Sequence, residues 1–379
     1  PLFFFMQKTA YEIMPSLVVS EMCIRDSVLR GLTIIFMIIV NQPGSWDHVY
    51  SPLLHAEWNG LTPTDYIFPM FLFIVGVSIV LSMSKRLDSS NRSSIIKKVL
   101  WRAIKIYLVG LFLWVWPDFD FNSVRWTGVL QRISVVFLFC GLIYLFFKQK
   151  QQVYIAAIIL ILYWIIMVFA SVPGIGSPDL SIPEQNWAHY IDSLYLPGVM
   201  WQDTWDPEGI LSTFPSIVTG IFGLIAGSIL VSKKEIKDKL ISLFLIGVFL
   251  VFTGDAISWS FPVNKNLWST SYTCLMGGMS FLLTATFVYI IDVKGYKKFK
   301  FAHVFGVNSI FCYVLAGVFS SIFYSSYFLG FSPNDEFFNL ITGIGISEKL
   351  VSLMYAVLYV FIIFCPAYIL FKKKIFIKL

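Results

Sequence analysis

The sequence is poor in charged residues. Lysine, arginine, aspartate and glutamate make up 13% of its 379 residues, against roughly 25% in a typical soluble domain. Because 57% of the residues are hydrophobic and the mean hydropathy is +0.76, a soluble fold of this length could not bury so much apolar surface. The scarcity of charge excludes an ordinary soluble domain and predicts an integral membrane protein.

The sequence also lacks Cys-x-x-Cys pairs and internal repeats, and these absences reduce the number of functions that it can have. The five cysteines contain no Cys-x-x-Cys pair, and four of them lie within apolar stretches, so we expect packing residues and neither a disulfide framework nor a metal site. No internal repeat is visible, which disfavours a transporter built from inverted repeats. The net charge of +6 comes from short basic runs between apolar stretches, so we expect no nucleic-acid partner.

The chain does contain a series of apolar runs long enough to cross a bilayer. They predict an all-α, polytopic transmembrane helical bundle of about ten helices, near residues 28–41, 65–84, 97–116, 127–147, 152–171, 211–232, 238–256, 268–292, 302–322 and 348–371. Basic residues cluster in every second connection, whereas residues 41–64 and 172–210 contain no lysine or arginine. The positive-inside rule then predicts that both termini are cytoplasmic.

The first 27 residues differ from the rest. The string Ser16–Ser27 looks like translated sequencing-adapter sequence of the kind found at the ends of metagenomic reads. The apolar run Pro1–Met6 lacks the basic lead and small-residue cleavage site of a signal peptide. We therefore expect residues 1–27 to be a non-native segment and residues 28–379 to form a single transmembrane domain. A genuine amphipathic N-terminal segment is the alternative.

A histidine and a carboxylate lie close in sequence where a base-poor loop enters the second predicted span. His55 and Asp65 flank this entrance, and Thr62 or Thr64 is placed to cap the helix. Histidine accepts a proton from a nucleophile near neutral pH, and a carboxylate can fix its tautomer. His55 and Asp65 are therefore candidate catalytic residues; an interfacial histidine with a structural hydrogen bond is the alternative.

Candidate ligand contacts stand at the outer ends of two other spans. Gln131 and Arg132 lie just inside the fourth span, where an unpaired charge costs a few kcal/mol. Arg132 either faces a polar cavity and meets phosphate or carboxylate, or snorkels to the outer interface. Lys265, beside Asn266, is the only base in its loop; it is either a ligand contact or a solvated surface lysine.

The long outer loop 172–210 is broken by prolines and rich in acids and aromatic residues. Long loops in compact proteins are often functional, so we expect Asp206, Glu208 and, from the preceding outer loop, Trp58 to contact the substrate. Capping of the sixth span by Asp206 or Ser212 is the simpler interpretation.

Another acidic pair lies in the outer loop between the third and fourth spans. Asp118 and Asp120 have the Asp-x-Asp spacing of metal-dependent glycosyltransferases. Two acids at this spacing are common on loops, and we expect no metal.

Taken in order, these motifs resemble the heparan-α-glucosaminide N-acetyltransferase family. The resemblance covers residues 28–379 and is carried by Arg30–Ile34, Asn41, His55–Pro69, Gly128–Ile133, Asp206–Pro215, Asn264–Trp268 and Gly306–Ile310. One departure is Ser27, which stands where the family usually has an acid directly before Val-x-Arg-Gly. This departure fits the expectation that the native first helix is truncated.

The resemblance implies a helical membrane enzyme that takes an acetyl group from cytoplasmic acetyl-CoA. It delivers the group to a glucosamine amine on the far side, in the lysosome for the animal enzyme. It also implies that His55 is the active-site histidine and Asn41 its nearby asparagine. We accordingly predict a multi-pass acetyltransferase of a bacterial inner membrane, which acts on an amino sugar or glycan at the periplasmic face. A homodimer is compatible with this interpretation.

Acetyl-CoA is expected in a tunnel through the bundle, with its phosphates near the basic cytoplasmic rim at Arg30, Arg102 and Lys105. Its further contacts are expected from the outer-end residues Gln131, Arg132, Lys265 and Asn266. His55 acts either as the base in direct transfer or as a nucleophile that forms acetyl-imidazole. The alternative function is a transporter or flippase of a sugar-linked lipid, which explains a buried Arg132 without chemistry.

Overall fold

The computed structural model describes residues 10–84, 91–296 and 298–377, with the side chains of residues 10–24 left aside. In these ranges the ordered elements are helical, which confirms the all-α prediction. The α-helices are α1 (Ala10–Asn41), α2 (Ile67–Met83), α3 (Arg92–Val115), α4 (Val129–Phe146), α5 (Gln149–Phe169), α6 (Trp187–Tyr195), α7 (Ile210–Val231), α8 (Ile236–Ser258), α9 (Thr270–Val288), α10 (Lys300–Val307), α11 (Ser309–Phe323), α12 (Pro333–Gly343) and α13 (Glu348–Lys372). Short 3-10 turns cover Ser51–Leu53 and Pro63–Tyr66, and a π-helical turn at Tyr289–Val293 extends α9.

Several of these helices can cross a bilayer. Within the described ranges, seven are long and apolar enough, and α10 with α11 makes an eighth if that pair, bent by 83°, counts as one span. The seven are α2 with its leading turn, α4, α5, α7, α8, α9 with its π turn, and α13. The prediction of a polytopic transmembrane bundle is confirmed. The number of ten spans and the cytoplasmic termini stay predictions.

The centre of the bundle is a tight pair, α2 against α7, flanked by α4 and α9. A Cβ atom at Gly76 would lie 2.1 Å from the backbone oxygen of Gly220, and one at Gly223 would lie 2.0 Å from that of Phe73. Small residues let transmembrane helices approach until their backbones touch. The α2–α7 contact therefore holds α2, the helix entered at Asp65, against the middle of the bundle.

Helix α1 packs against α10 in the same way. A Cβ at Gly31 would lie 1.7 Å from the oxygen of Ala302, and one at Gly306 would lie 1.6 Å from that of Ser27. Two of the motifs that carry the family resemblance are thus the two sides of one helix contact. This contact places α1, which ends at Asn41, beside α2.

From Ala10 onward, the suspected N-terminal segment is part of α1. Of its last residues, Arg25 pairs with Asp292 and Asp26 pairs with Arg30. The non-native origin of residues 1–27 stays a prediction, and residues 1–9 lie outside the described ranges.

The base-poor loops meet at one end of the bundle. The indole of Trp58 donates to the oxygen of Leu180 at 2.9 Å, and the Gly60 amide donates to Val263 at 2.8 Å. The loops before α2, before α7 and before α9 are therefore joined by hydrogen bonds. This grouping is what the alternation of basic and base-poor connections requires.

Cysteine labelling tests which face of the membrane these loops occupy. Ser51 and Ser181 are exposed at the base-poor end, and Ser94 is exposed at the basic end. In a Cys365→Ser background, we expect Ser51→Cys and Ser181→Cys to react with an impermeant maleimide in intact spheroplasts, because base-poor loops face outward. Ser94→Cys should react only after lysis. Labelling of just one of the two outer positions would contradict the topology.

Candidate active site

Asp65 is fixed at the outer end of α2 by its neighbours. Thr62 is the N-cap of the 3-10 turn Pro63–Tyr66, and its amide donates to Asp65 Oδ2 at 2.9 Å. The Ala56 amide donates to the same oxygen at 3.2 Å, and the Tyr272 hydroxyl donates to the Asp65 backbone oxygen at 2.7 Å. The side chain is 1% exposed. A buried carboxylate held by several donors is a rigid acceptor for one more.

That further partner is His55. Its Nδ1 lies 2.7 Å from Asp65 Oδ1, and 47% of its side chain is exposed. When Nδ1 carries the proton and donates it to the carboxylate, the lone pair of the imidazole is on Nε2. The carboxylate thereby fixes the tautomer and leaves Nε2 without a proton. This is the arrangement of a general base or nucleophile.

Lys265, in the loop between α8 and α9, lies next to His55 and Asp65. Its Nζ lies 3.0 Å from His55 Nδ1, 3.1 Å from Nε2 and 3.8 Å from Asp65 Oδ1. The neighbouring Asn264 holds the loop: its amide donates to Asn59 Oδ1 at 3.0 Å, and its oxygen accepts from the Leu267 amide at 2.8 Å. Burial lowers the pKa of the Lys265 ammonium, against the opposing pull of Asp65 and Glu208.

These polar groups line a cavity of about 110 Å³ that reaches solvent. His55, Asn41, Glu208 and Lys265 contribute to its wall. The rest of the lining is mostly apolar and comes from α1, α2, α4 and α11, including Met37, Val40, Phe68, Phe71, Val129, Ile133 and Tyr313. An apolar cavity with a few convergent polar groups is the usual form of a small-molecule site.

A buried ion-pair cluster supports one side of the cavity. Arg125 donates to both oxygens of Asp206, from Nε at 2.7 Å and from Nη2 at 2.6 Å, and also to Glu208 Oε2 at 2.5 Å. Thr127 and two backbone amides donate to Asp206 as well. Burial raises the pKa of Asp206, but the hydrogen bonds from Arg125 outweigh it and hold the pKa below its usual range. The guanidinium lies over the rings of Trp114 and Trp201.

Comparison with known proteins places this site in a family. A family model described as "Heparan-alpha-glucosaminide N-acetyltransferase, catalytic" matches residues 26–239, which is more than half of the chain. The chain belongs to the heparan-alpha-glucosaminide N-acetyltransferase family. Proteins named heparan-alpha-glucosaminide N-acetyltransferase from Homo sapiens and Mus musculus are 31% and 29% identical to it over 92% of the chain. The chain spans 59% of the length of each relative.

Both relatives are named as N-acetyltransferases, which is the enzyme class predicted from the sequence. The activity of this chain stays a prediction. The matched range includes His55, Asp65, Arg132 and Asp206, whereas Lys265 lies beyond it. The roles of the individual residues stay predictions. The structure separates the predicted site residues that lie at the cavity from those that lie elsewhere. Asn41, His55, Asp65, Lys265 and Glu208 lie in or directly beside the cavity.

Arg132 follows neither interpretation given for it. The side chain is 3% exposed, so it does not snorkel to the interface, and it does not line the cavity. It donates to the Gly209 oxygen at 3.2 Å and to the Ser212 hydroxyl, and it lies over the ring of Trp268. Its neighbour Gln131 packs against Gly110 of α3. Contact of either residue with acetyl-CoA stays a prediction that this packing does not favour.

Three other predicted contacts take structural positions. Both carboxylate oxygens of Asp206 accept hydrogen bonds from Arg125. The indole of Trp58 donates to the Leu180 oxygen, and its ring packs edge-on against Trp205 with the ring centres 5.0 Å apart. Asn266 is half-buried beside Lys265. Asp120 accepts from the Asn122 amide at 2.9 Å and the Ser123 hydroxyl at 2.7 Å within its own loop.

Sequence reasoning missed two buried residues near α7. The N-cap of α7 is Gly209, not Asp206 or Ser212, and Asp192 of α6 accepts from the Ile210 amide at 2.8 Å. Burial raises the pKa of Asp192 to about 7. Arg125 is the only lysine or arginine in the loop between α3 and α4. That isolation was the available signal, because Lys265 is isolated in the same way and also pairs with a buried acid.

Proposed function

We propose that this protein is a membrane N-acetyltransferase that moves an acetyl group from acetyl-CoA to the amine of an amino sugar or glycan. The contact that carries the proposal is His55 Nδ1 against Asp65 Oδ1 at 2.7 Å, at the wall of a cavity that opens among the outer loops. Membership in the heparan-alpha-glucosaminide N-acetyltransferase family supports the reaction. The setting is a lipid bilayer, with the acceptor at the periplasmic face of a bacterial inner membrane.

The site chemistry follows from the unprotonated Nε2 of His55. In direct transfer, Nε2 takes the proton from the acceptor amine as the nitrogen attacks the acetyl carbon, and Asp65 stabilises the imidazolium that results. That proton then passes to the departing thiolate. In the covalent alternative, Nε2 itself attacks the acetyl carbon and the C–S bond breaks to release the CoA thiolate. In a second step the amine attacks the acetyl group, the bond from Nε2 to the acetyl carbon breaks, and the amine proton goes to Nε2. Both routes use the same histidine and the same carboxylate.

We place the entry of the acyl donor at the opposite side of the bundle. A second and much smaller cavity, of about 10 Å³, lies toward the basic end and is lined partly by Arg25, Asp26 and Leu29 of α1. The α1 residues of both cavities follow one another at spacings near four, from Arg25 and Leu29 to Thr33, Met37 and Asn41. This spacing keeps side chains on one side of a helix.

Helix α2 and its leading turn provide the opposite wall of both cavities. Their lining residues recur at spacings of three and four: Thr64, Ile67, Phe71, Ile74, Val77 and Leu81. Between Leu29 and Thr33 the two cavities are separated by about 6 Å along α1. We place the pantetheine arm and thioester along this shared face of α1 and α2. This placement leaves the phosphates of acetyl-CoA at the basic end.

The predicted basic rim has one member close to that path. Arg30 pairs with Asp26 and donates to the Ser78 hydroxyl at 2.5 Å. Arg102 lies 4.9 Å from the ring centre of Phe137, and Lys105 is exposed on α3. Arg30 is therefore the better candidate of the three for a phosphate contact.

The acceptor is expected to enter from the outer loops, where Glu208 and Asn41 line the cavity. One oxygen of Glu208 accepts from Arg125, which leaves the other available to an amine or sugar hydroxyl. Asn41 offers an amide for the acetyl oxygen or for a hydroxyl. We assign the predicted contact with the acceptor to Glu208 in preference to Asp206 for this reason.

Transfer by the purified protein tests the proposal. The full chain in detergent is incubated with acetyl-CoA and a panel of amino sugars that includes glucosamine, and N-acetylated products are measured by mass spectrometry. We expect an N-acetylated product together with one free CoA thiol per product. Binding or transport of the sugars without acetyl transfer from the donor would contradict the proposal and would favour the transporter or flippase.

A further inference from the structure

The position of Lys265 differs from that of a surface lysine. Its side chain is 17% exposed, and its Nζ lies 3.0 and 3.1 Å from the two ring nitrogens of His55. The hydrogen bonds of Asn264 to Asn59 and of Gly60 to Val263 tie the two loops together. The ammonium is therefore held at the histidine and is not an arm that reaches into solvent.

The charges of His55, Asp65 and Lys265 sum to zero when the imidazole is neutral. Asp65 contributes one negative charge and Lys265 one positive charge, 3.8 Å apart, so a neutral imidazole leaves the trio without net charge. Neutral imidazole is also the form that acts as a base or nucleophile. The positive charge of Lys265 is then free to act on another negative group that appears beside His55.

Such a group appears during acyl transfer. When a nucleophile attacks the acetyl carbon, the π electrons of the C=O bond move to oxygen, which becomes negative until the thiolate leaves. A donor that is aimed at this oxygen in a water-poor site stabilises the transition state. Since the acetyl carbon must approach His55 Nε2 in the covalent route, or lie next to the amine that Nε2 deprotonates, a donor 3.1 Å from Nε2 stands beside its oxygen.

Resting on the proposed function, we propose that Lys265 is a catalytic residue that donates from its ammonium to the acetyl oxygen as negative charge develops there. Lys265 keeps its proton throughout. In direct transfer the amine proton goes to His55 and from there to the departing thiolate. In the acetyl-imidazole route the thiolate leaves first, and the amine proton goes to His55 Nε2 as its bond to the acetyl carbon breaks. The ammonium acts only as an electrostatic donor in both routes. The assignment applies to direct transfer and to the acetyl-imidazole route, because both pass through a negatively charged oxygen.

The test compares Lys265→Met, which removes the charge, with Lys265→Arg, which keeps it. Loss of an oxyanion donor costs about 10²–10³-fold in kcat, so Lys265→Met should lose that much at unchanged acetyl-CoA affinity and unchanged Tm. Lys265→Arg should recover most of the loss. Lys349→Met, at an exposed lysine in the first turn of α13, is the matched control and should behave as wild type.

The pH profile supplies an independent readout. An ammonium donor is active only while protonated, and burial lowers the pKa of Lys265. The kcat of wild type should therefore fall as the pH rises through that lowered pKa. Lys265→Arg should lack this basic limb because a guanidinium stays charged.

Several results would overturn the assignment. They are near-normal kcat in Lys265→Met, a loss that appears entirely as weaker acetyl-CoA binding by calorimetry, or a well-folded Lys265→Arg as inactive as Lys265→Met. A wild-type protein that transfers acetyl to no amine would overturn the proposed function as well. That failure is seen before any variant is made.

Discussion

Replacing His55 with alanine is expected to lower kcat for acetyl transfer by about 10²–10⁴-fold, the contribution of a positioned acid–base group. The affinity for acetyl-CoA should change little, since the donor is proposed to lie mainly along α1 and α2. His55→Gln is a second variant that keeps a hydrogen-bonding group for Asp65 while removing the base. Initial rates with acetyl-CoA and an amino sugar give kcat, and calorimetry gives donor affinity.

His48 is the internal control for this prediction. It lies in the same outer loop but pairs with Glu348 at 3.0 Å and stacks on Phe338. His48→Ala should therefore leave kcat near the wild-type value. If His55 has only a structural role, its replacement will lower Tm and donor affinity together. Near-normal turnover in well-folded His55→Ala would remove this residue from the mechanism.

Arg125→Met is expected to destabilise the protein by about 3–5 kcal/mol, the usual cost of removing one partner of a buried ion pair. The change leaves the carboxylates of Asp206 and Glu208, which are 4% and 9% exposed, without their positively charged partner. Because these acids support the cavity wall, acceptor affinity should also fall. Thermal or denaturant unfolding of the detergent-solubilised protein measures the stability.

Asp120→Asn is the matched control, since Asp120 is an exposed acid of the same loop; it should cost less than about 1 kcal/mol. The double variant Arg125→Met with Asp206→Leu should lose less stability than the sum of its single variants, because removing both charges leaves fewer of them unpaired. A strictly additive double variant would show that Arg125 and Asp206 do not interact.

The helices were predictable because each consists of one long apolar run. The ten predicted spans fall on α1–α5, α7–α9, the pair α10–α11 and α13. The sharp bend at Asn308 was not predicted. Its side chain accepts from the Ile377 amide and donates to the Ile375 oxygen, and contacts between segments so far apart leave no local pattern.

The candidate site was predictable where it is local in sequence. His55 and Asp65 belong to one loop–helix entrance, so their pairing follows from spacing and capping chemistry. Lys265 joins them from 210 residues away. Its approach depends on how the loop before α9 folds over the loop before α2. The partners of Arg132 were missed for a similar reason: a buried arginine in a span requires compensation, but its position in the chain does not say whether a ligand or Gly209 and Ser212 supply it.

Following the acetyl group through one reaction tests the central claim most directly. Purified wild type and His55→Ala are each given acetyl-CoA with a ¹⁴C label in the acetyl group and the same amino sugar, and the label is separated into donor, protein, sugar and free acetate. The account predicts label on the sugar nitrogen with wild type. With His55→Ala, label should stay on the donor although acetyl-CoA binds with similar affinity. Equal labelling of the sugar by both proteins, or a wild type that releases acetate and never acetylates an amine, would contradict the account.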